Sequence, residues 1–194
     1  NATATITLAG VKITPTDAGT VDGYSGIDLG SGATLNITLQ NGSSNVINGG
    51  TSETGTPAPG IRVPGGSTLT IDGDGSLEVK GASADDRAAV GIGGMGSASE
   101  NGEACGNVII LGGTITVHGG TASTSSPPVD IGGGATDTGK GGDCNTVIIL
   151  TSVNSGEGLE IGGGKGLSSN DGSDGAGIKP TGDGTYTVYG NLEL

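Results

Sequence analysis

The chain has 194 residues, of which 44 are glycine and none is phenylalanine or tryptophan. Conventional globular cores draw much of their buried area from aromatic rings, so this composition indicates a narrow core of Ile, Val, Leu and Ala. The net charge of −13 argues against nucleic acid and anionic membranes as partners, and no apolar run approaches the ~20 residues that cross a bilayer.

One short phrase recurs along the chain: an isoleucine that follows glycine or an acid and is itself followed closely by glycine. The isoleucines are Ile27, Ile61, Ile92, Ile131 and Ile161, with an echo at Ile178. The first five are 30 to 39 residues apart, which is the period of a solenoid. Each unit of a solenoid buries its apolar side only by stacking on its neighbours.

Short stretches of alternating apolar and polar residues, separated by glycine-rich turns, predict β-strands. In the clearest unit, Leu69 and Ile71 share one face, as do Leu77 and Val79 in the next strand. Glycine interrupts every candidate helix, so no helices are expected. The predicted strands, in chain order, are residues 3–13, 33–39, 44–48, 60–63, 67–72, 76–80, 107–111, 114–118, 146–150 and 185–189.

Three short strands per repeat predict an all-β fold, a parallel β-helix of five to six coils of about 30 residues each. We expect one domain over residues 1–194, with an N-terminal coil at 3–24, regular coils at 25–164 and a C-terminal coil or cap at 165–194. Because the chain begins within a predicted strand, we interpret it as a mature protein or as a fragment of a larger one. The connectors are predicted to be surface loops. An antiparallel sandwich is the competing fold, but it does not explain the recurring phrase.

The Gly-Ile-x-Val-x-x-Gly unit at 60–66, the Gly-Gly-Thr-Ile-Thr-Val stretch at 112–117 and the Gly-Ile-Gly-Gly phrase at 91–94 carry a resemblance. Over residues 5–164, the chain resembles carbohydrate-binding β-helix domains of large surface proteins from Gram-positive bacteria. The resemblance implies a right-handed coil similar to pectate lyases, plant-type or acidic polysaccharide ligands, and calcium. Its motifs mark coils and assign no role to individual residues.

Alignment by the recurring isoleucines places Asp28 directly beside Arg62 in the next coil. A cross-strand ion pair is the simpler interpretation. The alternative is a lyase site, which needs several carboxylates around one calcium ion beside an Arg or Lys. Tyr24, just before the first repeat, is a candidate platform for a sugar ring. Asp28, Arg62 and Tyr24 are therefore the candidate ligand-binding residues.

Two acidic groups are candidate calcium ligands. Asp130 and Glu160 precede the recurring isoleucine in successive coils, where like charges either splay into water or share a cation. Asp171, Ser173 and Asp174 lie in a glycine-flexed loop whose alternating oxygens suit Ca²⁺, although a solvated turn explains them equally well.

The two cysteines occupy equivalent places, since Cys105 and Cys144 each lie 13 residues after a recurring isoleucine. In a stack they would be neighbours about 4.8 Å apart, within the range that a disulfide tolerates. A structural disulfide and two buried free thiols are both compatible with this spacing.

The sequence favours a non-catalytic, extracellular or cell-surface module that binds a polysaccharide or adheres to one, supported by calcium. A structural or filament-forming unit is an alternative, because end-to-end association would use the open coil ends and the outward Ile109, Leu111, Ile148 and Leu150. A polysaccharide lyase is a second alternative. Ice binding ranks last, because Thr34/Ser67 and Thr38 do not form a long threonine ladder.

Overall fold

We describe the fold from a computed structural model of the chain. The structure describes residues 2–16, 22–52, 55–84, 87–122, 129–136, 139–151, 153–154, 161–162 and 186–188. Within these ranges the protein contains strands and turns but no helix, as the glycine-rich sequence predicts.

The strands are short, and each long strand alternates buried and outward residues. In chain order they are β1 (Thr3–Leu8), β2 (Lys12–Ile13), β3 (Ile27–Asp28), β4 (Thr34–Leu39), β5 (Ser44–Asn48), β6 (Ile61–Arg62), β7 (Thr68–Gly73), β8 (Ser76–Lys80), β9 (Ile92–Gly93), β10 (Asn107–Ile110), β11 (Thr114–His118), β12 (Ile131–Gly132), β13 (Val147–Ile149), β14 (Val153–Asn154), β15 (Ile161–Gly162) and β16 (Tyr186–Val188).

Three parallel sheets form the walls of a β-solenoid. Sheet A has six strands in the order β1-β4-β7-β10-β13-β16, sheet B has the order β14-β11-β8-β5-β2, and sheet C has β15-β12-β9-β6-β3. The chain passes through sheets A, B and C in turn five times and then returns to sheet A with β16. The predicted parallel β-helix is confirmed, and the antiparallel sandwich is wrong because every strand-to-strand pairing is parallel.

The core consists of columns of like residues in register between coils. In sheet C the recurring isoleucines lie one above another: Ile27 pairs with Ile61, which pairs with Ile92, and the column continues through Ile131 to Ile161. In sheet A, Ile37, Ile71, Ile110 and Ile149 form a second column. Burying each isoleucine stabilises the fold by up to about 1.5–3 kcal/mol, so the stacked columns account for much of the driving force.

Equivalent turns before sheet A rely on glycine. Gly32 and Gly66 precede β4 and β7, and they have φ values of 71° and 81°. Ala33 N–H donates to the Gly30 carbonyl and Ser67 N–H donates to the Pro64 carbonyl, both at 3.0 Å. Because side chains destabilise positive φ, glycine at this place lets each coil turn sharply into the next strand.

The connectors between sheets B and C, in the parts that the structure describes, are more buried than the surface loops that the composition predicts. Ala58, Ala82 and Ala89 are buried, and they hydrogen-bond from one connector to the next. Ala82 N–H donates to the Ala58 carbonyl at 3.0 Å, and Gly120 N–H donates to the Ala89 carbonyl at 2.7 Å. The small side chains allow neighbouring connectors to stack closely, so they extend the solenoid sideways instead of covering it.

Two longer insertions, residues 94–105 and 134–144, stack on each other in the same manner on the other side of sheet C. Ser97 pairs with Thr136 in a parallel bridge, and Gly102 N–H donates to the Lys140 carbonyl at 2.9 Å. A Cβ atom added to Gly134 would lie 1.8 Å from the Met95 carbonyl oxygen. Glycine is therefore required for the backbones to meet this closely.

Candidate functional site

The outer face of sheet C carries a cluster of three charged side chains. Asp28 and Arg62 are register partners on β3 and β6, as the sequence predicts, with Arg62 Nη1 3.2 Å from Asp28 Oδ1. Glu103, from the first long insertion, binds the same guanidinium through two bonds: Nε to Oε2 at 2.8 Å and Nη2 to Oε1 at 2.7 Å. Arg62 therefore lies between two carboxylates.

Glu103 also holds its own insertion in place. Its Oε2 accepts a hydrogen bond from Met95 N–H at 3.0 Å, and its backbone N–H donates to the Met95 carbonyl at 2.9 Å. The sequence analysis missed Glu103 because it lies in an insertion that has no counterpart in the preceding coil. Its only signal is an acid two residues before Cys105, in a segment otherwise rich in small residues.

Two properties of this cluster bear on the lyase hypothesis: the pKa of Arg62 and the number of carboxylates beside it. The hydrogen bond to Glu103 raises the pKa of Arg62 above its usual value, burial opposes that rise, and the charges of Glu103 and Asp28 add to it. Arg62 thus favours its protonated form. Beside it the described residues place two carboxylates, Asp28 and Glu103, whereas the lyase hypothesis calls for several carboxylates around one calcium ion.

Tyr24 lies in the segment that leads into β3, and its side chain is 58% exposed. Its carbonyl oxygen accepts a hydrogen bond from Gly50 N–H at 2.8 Å, which fixes the backbone there against the next connector. The exposed ring remains a candidate sugar contact.

Of the predicted calcium ligands, the structure describes Asp130. Asp130 is only 8% exposed, and its Oδ1 accepts a hydrogen bond from Gly119 N–H at 2.8 Å, so this carboxylate ties two parts of one connector together. Within the described ranges, no three His, Cys, Asp or Glu side chains come close enough to hold a metal ion. The other predicted ligands, Glu160, Asp171, Ser173 and Asp174, lie outside the described residues.

The outer face of sheet A, which we call the threonine face, is a second candidate surface. It was not identified as a binding surface from the sequence. It presents every second residue of the longest strands, in register across the coils. Its outward residues from β1 to β13 are Thr3, Thr5, Thr7, Thr34, Asn36, Thr38, Thr68, Thr70, Asp72, Asn107, Ile109 and Ile148, followed by Leu111 and Leu150 just beyond β10 and β13.

Two properties distinguish the threonine face from the rest of the molecule. Asp72 is the one charged residue among these outward positions, although the chain as a whole has a net charge of −13. The surface also changes along the solenoid axis: hydroxyl and amide groups fill the first three coils, and apolar side chains follow. Leu111 and Leu150 are 39% and 43% exposed.

Hydrogen bonds order one edge of this face. Asn107 Nδ2 donates to Thr68 Oγ1 at 3.2 Å, and Asn145 Nδ2 donates to Asn107 Oδ1 at 3.0 Å. These bonds run from coil to coil, so the side chains are held in a row. A polar row held in this way presents donors and acceptors at the repeat distance of the strands.

The threonine column on this face runs through Thr68 and does not include Ser67. Thr34 pairs with Thr68 on one side and with Thr3 on the other, whereas Ser67 is fully buried. Thr34 and Thr68 each lie seven residues after a recurring isoleucine, so the same alignment that placed Asp28 beside Arg62 already contains this column.

Comparison of the chain with protein-family models, with curated proteins and with solved structures finds no match in any of the three. The parallel β-solenoid therefore rests on the register of this chain alone. In the part of the chain that the structure describes, no helix is suited to crossing a membrane.

Proposed function

We propose that the protein is a non-catalytic, extracellular polysaccharide-binding module, and that the threonine face is its binding surface. The observation that carries this proposal is the near absence of charge on an ordered face of a strongly acidic chain. Charged groups on the other faces keep an acidic protein soluble. An ordered face that is nearly free of charge therefore suits contact with a partner.

The side chains of this face match the chemistry of a sugar chain. Threonine hydroxyls and the Asn36 amide can donate to and accept from sugar hydroxyls. The threonine methyl groups, together with Ile109 and Leu111, offer apolar area to the C–H faces of the rings. A repeating polymer suits a repeating surface, because successive coils present their outward side chains one strand spacing apart along the axis.

The overall charge favours a neutral polysaccharide. A negatively charged polymer would approach a molecule with a net charge of −13 against a repulsive field. An acidic polysaccharide, which the family resemblance implies, would need a bridging cation to overcome that field. The two ligand classes therefore differ in their dependence on divalent ions.

A non-catalytic role agrees with the state of Arg62. Its guanidinium is bound by Asp28 and Glu103, which satisfies its charge and leaves it protonated. In this proposal the cluster anchors the first insertion to the solenoid, and the ligand contacts lie on sheet A.

A glycan array that includes neutral and uronic-acid polysaccharides, run with and without EDTA, tests the proposal. We expect retention on a neutral polysaccharide that EDTA does not abolish. Retention on uronic-acid polymers alone, lost with EDTA, would instead support the calcium-bridged version. Absence of retention on all polysaccharides would contradict polysaccharide binding and favour the structural role.

Ice binding is a second candidate, favoured by the column of Thr3, Thr34 and Thr68. Regularly spaced hydroxyl and methyl groups on a face with little charge can also order water. An ice-recrystallisation assay distinguishes the two functions. Inhibition by the protein, together with no retention on the array, would favour ice over polysaccharide.

A further inference from the structure

Cys105 and Cys144 occupy equivalent places in adjacent coils. Each ends one of the two stacked insertions and leads into the next strand of sheet A, β10 or β13. They pair in a parallel bridge, and Cys105 N–H donates to the Asp143 carbonyl at 2.8 Å. Both are free thiols in the structure, each 1% exposed, and both belong to the apolar core.

Their geometry suits a covalent bond between coils. Paired residues on adjacent strands have Cα atoms about 4.8 Å apart, inside the range of about 4.4–6.8 Å found for disulfides. The two thiols are also hydrogen-bonded to each other, so both sulfur atoms already face the same space. The remaining core neighbours are aliphatic and offer no competing reaction.

We propose that Cys105 and Cys144 form an inter-coil disulfide when the chain folds in an oxidising environment. Such a bond would tie the fourth coil to the fifth at the root of the two insertions. The proposal rests on the extracellular location in the proposed function, which would supply the oxidising environment. It does not depend on polysaccharide binding.

The reaction is a thiol–disulfide exchange with a small disulfide such as oxidised glutathione. The thiolate of one cysteine attacks one glutathione sulfur, and the first glutathione leaves as a thiolate. The thiolate of the other cysteine then attacks the protein sulfur of the mixed disulfide and releases the second glutathione. The two protons from the protein thiols end on the two released glutathiones, so one disulfide is reduced as the other forms.

The environment distinguishes the two thiols. The hydrogen bond to Cys144 and burial raise the pKa of Cys105, whereas the hydrogen bond to Cys105 lowers the pKa of Cys144. Each thiol thus shifts the pKa of the other, as two sulfur atoms in direct contact do. Because both are nearly inaccessible in the folded chain, we expect the bond to form during folding and only slowly afterwards.

The test is to refold the reduced, denatured chain in a mixture of oxidised and reduced glutathione. Free thiols are then alkylated, and the protein is digested with trypsin without reduction. Cleavage after Lys140 separates the two cysteines, and we expect mass spectrometry to find peptide 88–140 linked to peptide 141–165. We also expect the oxidised protein to melt about 5–10 °C above the reduced protein.

The double variant Cys105→Ala/Cys144→Ala is the control, and it should show no change in melting temperature with glutathione. Recovery of both cysteines in alkylated form from folded protein would overturn the proposal, as would links between different molecules only. If the chain does not refold, the same digest on protein secreted into an oxidising medium decides the question. These outcomes are independent of the glycan array, so either proposal can fail alone.

Discussion

At the scale of single residues, the described part of the solenoid interior includes a buried asparagine whose amide is fully hydrogen-bonded. Asn45 is 1% exposed and pairs in register with Leu77, whose neighbour on the other side is Ile115. Its Oδ1 accepts from Gly10 N–H at 3.0 Å and from Val11 N–H at 2.9 Å. Its Nδ2 donates to Ser43 Oγ and to the Ser76 carbonyl. Asn45 thus provides hydrogen-bond partners for backbone groups of a turn that lies outside the regular strand pairing.

Replacing Asn45 by leucine should therefore destabilise the protein even though leucine occupies the equivalent place one coil later. We expect Asn45→Leu to lower the free energy of unfolding by about 2–4 kcal/mol, because Gly10 and Val11 lose their acceptor. Urea denaturation measures this change. Asn145→Ala, which removes one hydrogen bond from an exposed asparagine, should cost less than about 0.5 kcal/mol. Equal losses for the two variants would contradict the role given to Asn45.

The bond between Glu103 and Arg62 predicts a smaller effect. We expect Glu103→Gln to lower the free energy of unfolding by about 1 kcal/mol, because it weakens a two-bond ion pair that is partly shielded from water. Glu78→Gln is the matched control. It removes a pair with Lys80 in which the two side chains are 38% and 50% exposed, and it should have almost no effect. A larger loss for Glu78→Gln in the same urea titration would show that the Glu103 pair is not special.

At the scale of elements, glycine decides where strands and insertions can approach. Gly93, in β9, has a φ of 147°, and a Cβ atom there would lie 1.8 Å from the Gly132 carbonyl oxygen in β12. The same crowding recurs in the stacked insertions. At this position β9 and β12 therefore meet backbone to backbone, with no room for a side chain.

We expect Gly93→Ala to destabilise the fold by at least about 3 kcal/mol, or to prevent soluble expression, because the backbone must move and adopt a strained φ. Gly30→Ala is the control, since nothing lies within 4 Å of its added Cβ and its φ lies outside the left-handed region. Thermal denaturation compares the two variants. Similar melting temperatures would mean that the close contact between β9 and β12 does not exist.

The strands could be predicted from the sequence because alternation of Leu or Ile with Thr is a periodic signal that burial imposes on each coil. The column of Ile61, Ile92 and Ile131 and the pairing of Asp28 with Arg62 followed from equal offsets. The connectors could not be predicted, because Gly, Ala and Ser carry no period that separates a stacked segment from a solvated loop. Glu103 was missed for the same reason, since the insertion that carries it interrupts the offsets.

At the scale of the whole molecule, charge is distributed unevenly over the three walls. Sheet C carries the Asp28–Arg62–Glu103 cluster, and sheet B presents Lys12, Glu78 and Lys80 on its outer side. The threonine face has Asp72 alone among its described outward residues. This asymmetry makes one wall suited to a neutral ligand and the other two to contact with water.

The open ends of the solenoid remain a candidate route to self-association. Among the described strands, β1 pairs with β4 alone, and an unpaired strand edge is a place where another chain can add. End-to-end assembly would leave the threonine face uncovered and is compatible with binding. Sedimentation at rising concentration distinguishes a monomer from a growing rod.

The assignment of the binding face is tested most directly by placing one charge at its centre. Thr70 lies between Asn36 and Ile109 in register, and Thr114 is an outward threonine on sheet B that pairs with Ser76. On the polysaccharide that the array retains, we expect Thr70→Glu to weaken binding at least about tenfold, equivalent to about 1.4 kcal/mol. Thr114→Glu should bind as the unchanged protein does. Loss of binding by Thr114→Glu with full binding by Thr70→Glu, both folded by circular dichroism, would contradict the assignment.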